Sequence, residues 1–144
     1  MQQKLQWLEK NALHIALLQA IVAMIGSLYL SDIKGYAPCV LCWYQRIAMY
    51  SLVPILFIGF FRGDEKVYHY VTPIATIGWV IALYHNLLYT GIITAEESCS
   101  YGISCTTAYV EYMGFITIPL MALTAFSVIL VLSIVYRRWL RKNS

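Results

Sequence analysis

The chain alternates between apolar and polar character on the scale of whole spans. Four predominantly apolar runs, Ala12–Leu30, Trp43–Phe61, Tyr70–Thr90 and Gly114–Tyr136, are separated by short polar segments. Each is close to the ~20 residues an α-helix needs to cross a hydrocarbon core. A transmembrane barrel would instead show ~10-residue segments of alternating character, and none is present. Backbone groups find no water in lipid, so helices are the remaining solution. The pattern predicts an all-α integral membrane protein. Residues 1–144 form a single membrane domain, a four-helix transmembrane bundle with two outer loops. The first run follows Lys4 and Lys10 and so has the look of a signal peptide. It is too long for one, and Leu28-Tyr29-Leu30 is no small-residue cleavage site, so it reads as a retained helix.

Charge supplies the orientation. Lys4 and Lys10 precede helix 1, Arg62 and Lys66 lie between helices 2 and 3, and Arg137, Arg138, Arg141 and Lys142 follow helix 4. The opposite side has only Lys34, with Arg46 just inside helix 2. The positive-inside rule therefore makes both termini cytoplasmic. The outer segments are about Ser31–Cys42 and about Gly91–Met113. The second carries Glu96, Glu97 and Glu111 but no Lys or Arg. Tyr29, Tyr36, Trp43 and Tyr44 mark the outer boundary, and Phe60, Phe61, Tyr136 and Trp139 the inner one. Only 12% of the residues are charged, half the ~25% of soluble domains. That excludes a soluble globular domain and a disordered chain. The small net charge of +3, spread beside apolar runs, argues against nucleic-acid binding.

All four cysteines, Cys39, Cys42, Cys99 and Cys105, fall in the two outer segments. Disulfides persist outside the cytoplasm, so thiol chemistry or disulfide structure is the first expectation. Cys39-Val40-Leu41-Cys42 is a C-x-x-C pair at the start of helix 2, with Pro38 suited to a first helical position. Both sulfurs then sit near the positive end of the helix dipole, which favours the reactive thiolate. Arg46, four residues beyond Cys42, shares that face one turn deeper. A cation there favours a thiolate and attracts an electron-rich oxygen such as a quinone carbonyl. As a structural staple the pair closes too short a loop to constrain much. Trp43, not His, follows the pair, which disfavours a c-type haem. A zinc site built from all four cysteines ranks below the redox reading, and no metal ligands are assigned. Cys99 and Cys105, five residues apart in the acidic outer loop, suit access by another protein. One pair at membrane depth and one in water is the arrangement of a relay between a protein and a lipid-soluble carrier.

Pro38-Cys39-Val40-Leu41-Cys42-Trp43-Tyr44-Gln45-Arg46 resembles the motif of the disulfide bond formation protein B (DsbB) family. The closely spaced second pair and Gly114-Phe115-Ile116-Thr117-Ile118-Pro119 resemble its Gram-positive, BdbC-like branch. The similarity runs from helix 1 to helix 4. It implies a quinone-dependent protein-disulfide oxidoreductase of the cell membrane, with its redox cysteines on the extracytoplasmic side. Such a protein reoxidises an extracytoplasmic thioredoxin-fold thiol oxidase of the DsbA/BdbD type and supports disulfide formation in exported proteins. By position, Cys39 and Cys42 match the quinone-coupled pair, and Cys99 and Cys105 the pair that exchanges with the partner. Arg46 matches the Arg that holds and polarises the quinone, and His85 the neighbourhood of a quinone-proximal His. Cys42, deeper and nearer Arg46, is assigned the quinone-facing thiolate. The Gram-positive likeness favours menaquinone over ubiquinone. The vitamin K epoxide reductase type does similar chemistry, but there the loop cysteines precede the C-x-x-C pair.

The competing class is a non-catalytic four-span protein whose outer loops are braced by structural disulfides. Tyr109–Phe115 reads as a short interfacial helix or as the start of helix 4. Pro54, Pro73 and Pro119 are expected to kink or start helices. His14 and His69 are read as packing or interface residues, and Gly26 and Ser27 as a close helix contact.

Overall fold

The computed structural model describes residues 2–93 and 117–143. Most of them lie in four helices, α1 (Gln2–Leu28), α2 (Val40–Arg62), α3 (Tyr68–Tyr89) and α4 (Ile118–Asn143), with no strand among the described residues. Each helix contains a stretch long and apolar enough to cross a membrane. α1 packs on α2 and α4, and α3 packs on the same two helices, whereas α2 and α4 barely touch. The helices therefore stand in a square, in chain order.

The inner faces follow from residue size. Ala12, Ala16 and Ala20, one per turn, are fully buried and let α1 approach its neighbours closely. Leu52, Val71, Phe126 and Ile129 fill the centre. At Gly78 the backbone of α3 lies against the Phe126 ring, where any Cβ would collide. Polar contacts cross the α3–α4 seam: Thr72 Oγ1 with Ser133 Oγ at 2.7 Å, Trp79 Nε1 donating to Ser127 Oγ at 2.9 Å, and Asn86 Nδ2 donating to the Pro119 carbonyl at 2.8 Å. The outer faces are as apolar as the core. Leu18, Val22, Ile47, Ile58, Ile77 and Val131 are each more than half exposed. A soluble bundle would place charge there; these residues face lipid.

The helices overrun the apolar runs. α1 begins at Gln2, not Ala12, and takes in Lys4 and Lys10. α4 continues past Tyr136 to Asn143 and carries the terminal basic residues in its last turns, where they complement the helix dipole. Hydropathy marks the edge of the hydrocarbon, while backbone bonding continues through good helix formers such as Lys and Arg. Gly114 and the Tyr109–Phe115 stretch lie outside the described residues. Tyr136, expected at the inner interface, is buried within the bundle and stacks on Trp139 with centroids 5.9 Å apart. Pro54 and Pro73 sit inside α2 and α3, and Pro119 in the first turn of α4.

Two connections set the site. Between α2 and α3, Gly63 adopts a left-handed conformation (φ 61°) and donates to the Gly59 and Phe60 carbonyls, ending α2. At the other end of the bundle α1 widens into a π-turn, Tyr29–Ile33, closed by the Lys34 N–H on the Tyr29 carbonyl at 3.1 Å. Gly35 (φ 72°) then turns the chain toward Cys39. Only residues 34–39 of the first outer segment are non-helical.

Candidate functional site

Cys39 is the N-cap of α2. Its backbone is extended (φ −71°, ψ 171°), and its Sγ accepts the Cys42 backbone N–H at 3.4 Å. That satisfies one of the orphan donors of the first turn. Pro38 therefore precedes the cap and does not take the first helical position expected of it; Val40 does. One turn of helix brings Cys42 Sγ to 2.9 Å from Cys39 Sγ, and both are free thiols.

His85 reaches this pair from α3. It is almost fully buried, and its Nε2 lies 3.8 Å from Cys39 Sγ. Its Nδ1 lies 3.0 Å from the side-chain amide nitrogen of Gln45, which is itself buried on α2. An amide N–H donated to Nδ1 leaves the imidazole proton on Nε2, facing the sulfur. Cys39, Cys42, His85 and Gln45 thus form one hydrogen-bonded chain. The contact with Cys42 first, then the His85 hydrogen bond, holds the Cys39 thiol at about 4, well below its ordinary 9.0, although burial pushes the other way. The sequence assigns the quinone-facing thiolate to Cys42 by depth and nearness to Arg46. In the structure the hydrogen bonds gather on Cys39, because the capping position turns its sulfur toward both the helix N–H and His85.

Arg46 lies one turn below Cys42. Its Nε donates to Ser27 Oγ and its Nη2 to the Ser27 carbonyl, both at 2.8 Å. Its guanidinium also stands over the Trp43 ring, 5.6 Å from the centroid. Ser27 lies two residues ahead of the π-turn, so Arg46 ties α2 to the place where α1 changes its winding. Such turns recur at functional sites.

These groups line one cavity of about 510 Å³, together with Met49 and Tyr50 of α2 and Pro119 and Ala122 of α4. The volume is in the ~300–1,000 Å³ range of small-molecule sites. The buried Tyr50 hydroxyl has no hydrogen-bond partner among the described residues. A buried polar atom left in this way costs ~1–3 kcal/mol. The ligand atoms of Cys39, Cys42 and His85 all lie within 4.8 Å of one another.

Four expected site residues, Cys39, Cys42, Arg46 and His85, are therefore brought to one cavity. Cys99 and Cys105 lie outside the described residues. Gln45 and Tyr50 received no role from the sequence, and Ser27 only that of a close helix contact. A buried-face Gln one turn beyond a C-x-x-C pair was the signal available for the first. Ser27 and Tyr50 carried none, because each depends on a contact or cavity formed by packing.

The family described as disulfide bond formation protein DsbB matches residues 9–136. Disulfide bond formation protein C of Bacillus subtilis is 47% identical over 117 residues, covering 78% of this chain and 82% of that protein. Probable disulfide formation protein C 2 of Bacillus cereus is 41% identical over 128 residues, covering 89% and 92%. Probable disulfide formation protein C of Halalkalibacterium halodurans is 43% identical over 122 residues, covering 84% and 89%. No solved structure matches the chain.

Proposed function

The chain belongs to the DsbB family of disulfide bond formation proteins, and from that premise we propose that it reoxidises an extracytoplasmic thioredoxin-fold dithiol oxidase and passes the electrons to a membrane quinone. Membership makes it a multi-pass membrane oxidoreductase of disulfide formation, acting with a thiol–disulfide partner. The finer reading rests on one observation. A C-x-x-C pair, a buried His and an Arg converge on a largely apolar cavity between the helices. Basic residues cluster at the opposite end of the bundle, which under the positive-inside rule supports an extracytoplasmic position for this end.

The residues present fit a quinone. The walls are mostly apolar, Arg46 carries charge at one of them, and the Tyr50 hydroxyl is a buried donor in want of an acceptor. Arg46 and Tyr50 would hold the headgroup, with menaquinone favoured over ubiquinone by the Bacillus likeness. When bound, a quinone supplies the oxidant that accepts two electrons and two protons.

The chain's own residues do the rest. A thiolate of the reduced partner attacks the Cys99–Cys105 disulfide; the mixed disulfide resolves, the partner leaves oxidised, and Cys99 and Cys105 are left as a dithiol. That dithiol reduces the Cys39–Cys42 disulfide and closes again. Cys39 is placed to depart when its disulfide opens, because the Cys42 backbone N–H and His85 Nε2 both face its sulfur and a stabilised thiolate is the better leaving group. His85 holds a proton at Nε2 beside that sulfur, and Gln45 keeps it there.

Single-turnover oxidation tests the proposal. The Cys39/Cys42 pair is reduced in lipid nanodiscs without oxygen, then mixed with menaquinone or ubiquinone, and remaining thiols are counted by alkylation. Loss of two thiols per quinone is expected. Unchanged thiols with both quinones overturn the quinone reading.

A further inference from the structure

Cys39 Sγ, Cys42 Sγ and His85 Nε2 are two soft sulfur donors and one imidazole, held within 4.8 Å of one another. Structural and catalytic zinc use this donor set, at ~2.3 Å to sulfur and ~2.0–2.1 Å to nitrogen in tetrahedral array. Ligand atoms in such an array stand ~3.5–3.8 Å apart. The Cys39–His85 separation of 3.8 Å already meets that spacing. The Cys39–Cys42 separation of 2.9 Å needs to open by about an ångström, within reach of a side-chain rotation at Cys42. Two further features complete a built site. Gln45 lies 3.0 Å from His85 Nδ1; with its amide turned over, its Oε1 accepts an Nδ1 proton and becomes the outer partner that orients an imidazole ligating through Nε2. The cavity bordered by all three donors leaves the fourth position open to water.

We propose that the reduced site binds one borderline-soft divalent cation, of which Zn²⁺ is the type, through Cys39 Sγ, Cys42 Sγ and His85 Nε2. Binding expels whichever thiol protons remain and moves the imidazole proton from Nε2 to Nδ1, freeing Nε2 to ligate; the metal and the sulfurs keep their oxidation levels. A Cys39–Cys42 disulfide offers no thiolate, so the cation selects the reduced state. While bound it occupies both sulfurs and blocks their reoxidation. Excess extracytoplasmic zinc thereby becomes a reversible inhibitor of the electron relay.

The test uses the full chain in nanodiscs with Cys99→Ser and Cys105→Ser, so that only this pair contributes thiols. The protein is reduced, desalted without oxygen and titrated with Cd²⁺, whose thiolate charge-transfer band reports ligation; Zn²⁺ is added in competition. The proposal expects one Cd²⁺ per chain, displacement by Zn²⁺, and no band after oxidation of the pair. His85→Ala should weaken binding at least tenfold. Gln45→Leu should weaken it by about 10–100-fold, the usual cost of losing an outer partner. Circular dichroism and gel filtration confirm folding, and Gln45→Leu carries the test if His85→Ala does not fold. Absence of a saturable band in the reduced protein overturns the proposal. So does equal binding by the oxidised protein, or parental affinity in the folded variants. No quinone or partner enters the measurement, so its failure is separate from failure of the proposed electron transfer.

Discussion

Replacing His85 by Phe keeps a buried ring on α3 but removes the imidazole that faces Cys39 Sγ at 3.8 Å. A hydrogen bond to a charged group contributes ~1.5–3 kcal/mol, and each pKa unit corresponds to ~1.36 kcal/mol. The Cys39 thiol, held at about 4, is therefore expected to rise by about one to two units. At mildly acidic pH its thiolate fraction should fall accordingly. It does not return to the ordinary value, because the Cys42 contact, the larger cause, survives. Gln45→Leu should act in the same direction and by less, since the ring stays but no longer has an amide fixing its proton on Nε2. The assay is the pH dependence of alkylation by a small reagent. It is mapped to Cys39 by mass spectrometry in the reduced Cys99→Ser/Cys105→Ser background. A midpoint in His85→Phe equal to that of the parent would refute the reasoning, as would a downward shift.

Three further outcomes follow from the same geometry. Arg46→Met loses two 2.8 Å hydrogen bonds to Ser27. It should lose at least tenfold in quinone reduction and about 2 kcal/mol of stability, while Arg46→Lys recovers the charge but not the two-pronged hold and falls between; wild-type kinetics in Arg46→Met would remove Arg46 from the site. Gly78→Ala drives a Cβ into the fully buried Phe126 ring; overpacking of this kind costs ~1–3 kcal/mol, so Tm should fall and the added Phe126→Leu should recover part of the loss, whereas an unchanged Tm would contradict the close approach. For pH, Cys39 is depressed in the folded reduced protein to about 4 from an ordinary 9.0. Between those values the unfolded chain binds the extra proton, so stability of the reduced form rises with pH across the window and is lost as pH falls through about 4. The disulfide form has no such dependence, and Tm of the two forms against pH checks the sign.

The four spans were legible because a helix in lipid needs an apolar stretch of fixed length, and nothing in solution imposes that on a chain. Their ends were not. Hydropathy falls at the membrane surface, whereas α1 and α4 keep their backbone bonds through Lys4, Lys10 and Arg137 to Lys142. The π-turn Tyr29–Ile33 left no trace in the pattern, since one extra residue per turn does not alter an apolar run. Cys39, Cys42 and Arg46 declared themselves by spacing along one helix. His85 came only through family likeness, because its meaning depends on α3 packing against the start of α2. Gln45 was visible as a polar residue in an apolar helix, yet its role exists only once His85 stands opposite it. The sequence likewise could not show that Arg46 is anchored to Ser27, nineteen residues earlier.

The central claim is that electrons pass through two cysteine pairs to a quinone. The most direct measurement is quinone reduction by the purified protein supplied with a reduced thioredoxin-fold oxidase, with wild type, Cys39→Ser and Cys99→Ser run in parallel. The account expects turnover in wild type and none in either variant, with all three proteins folded. Absence of turnover in wild type with both menaquinone and ubiquinone would contradict it, and so would persistent turnover in either variant.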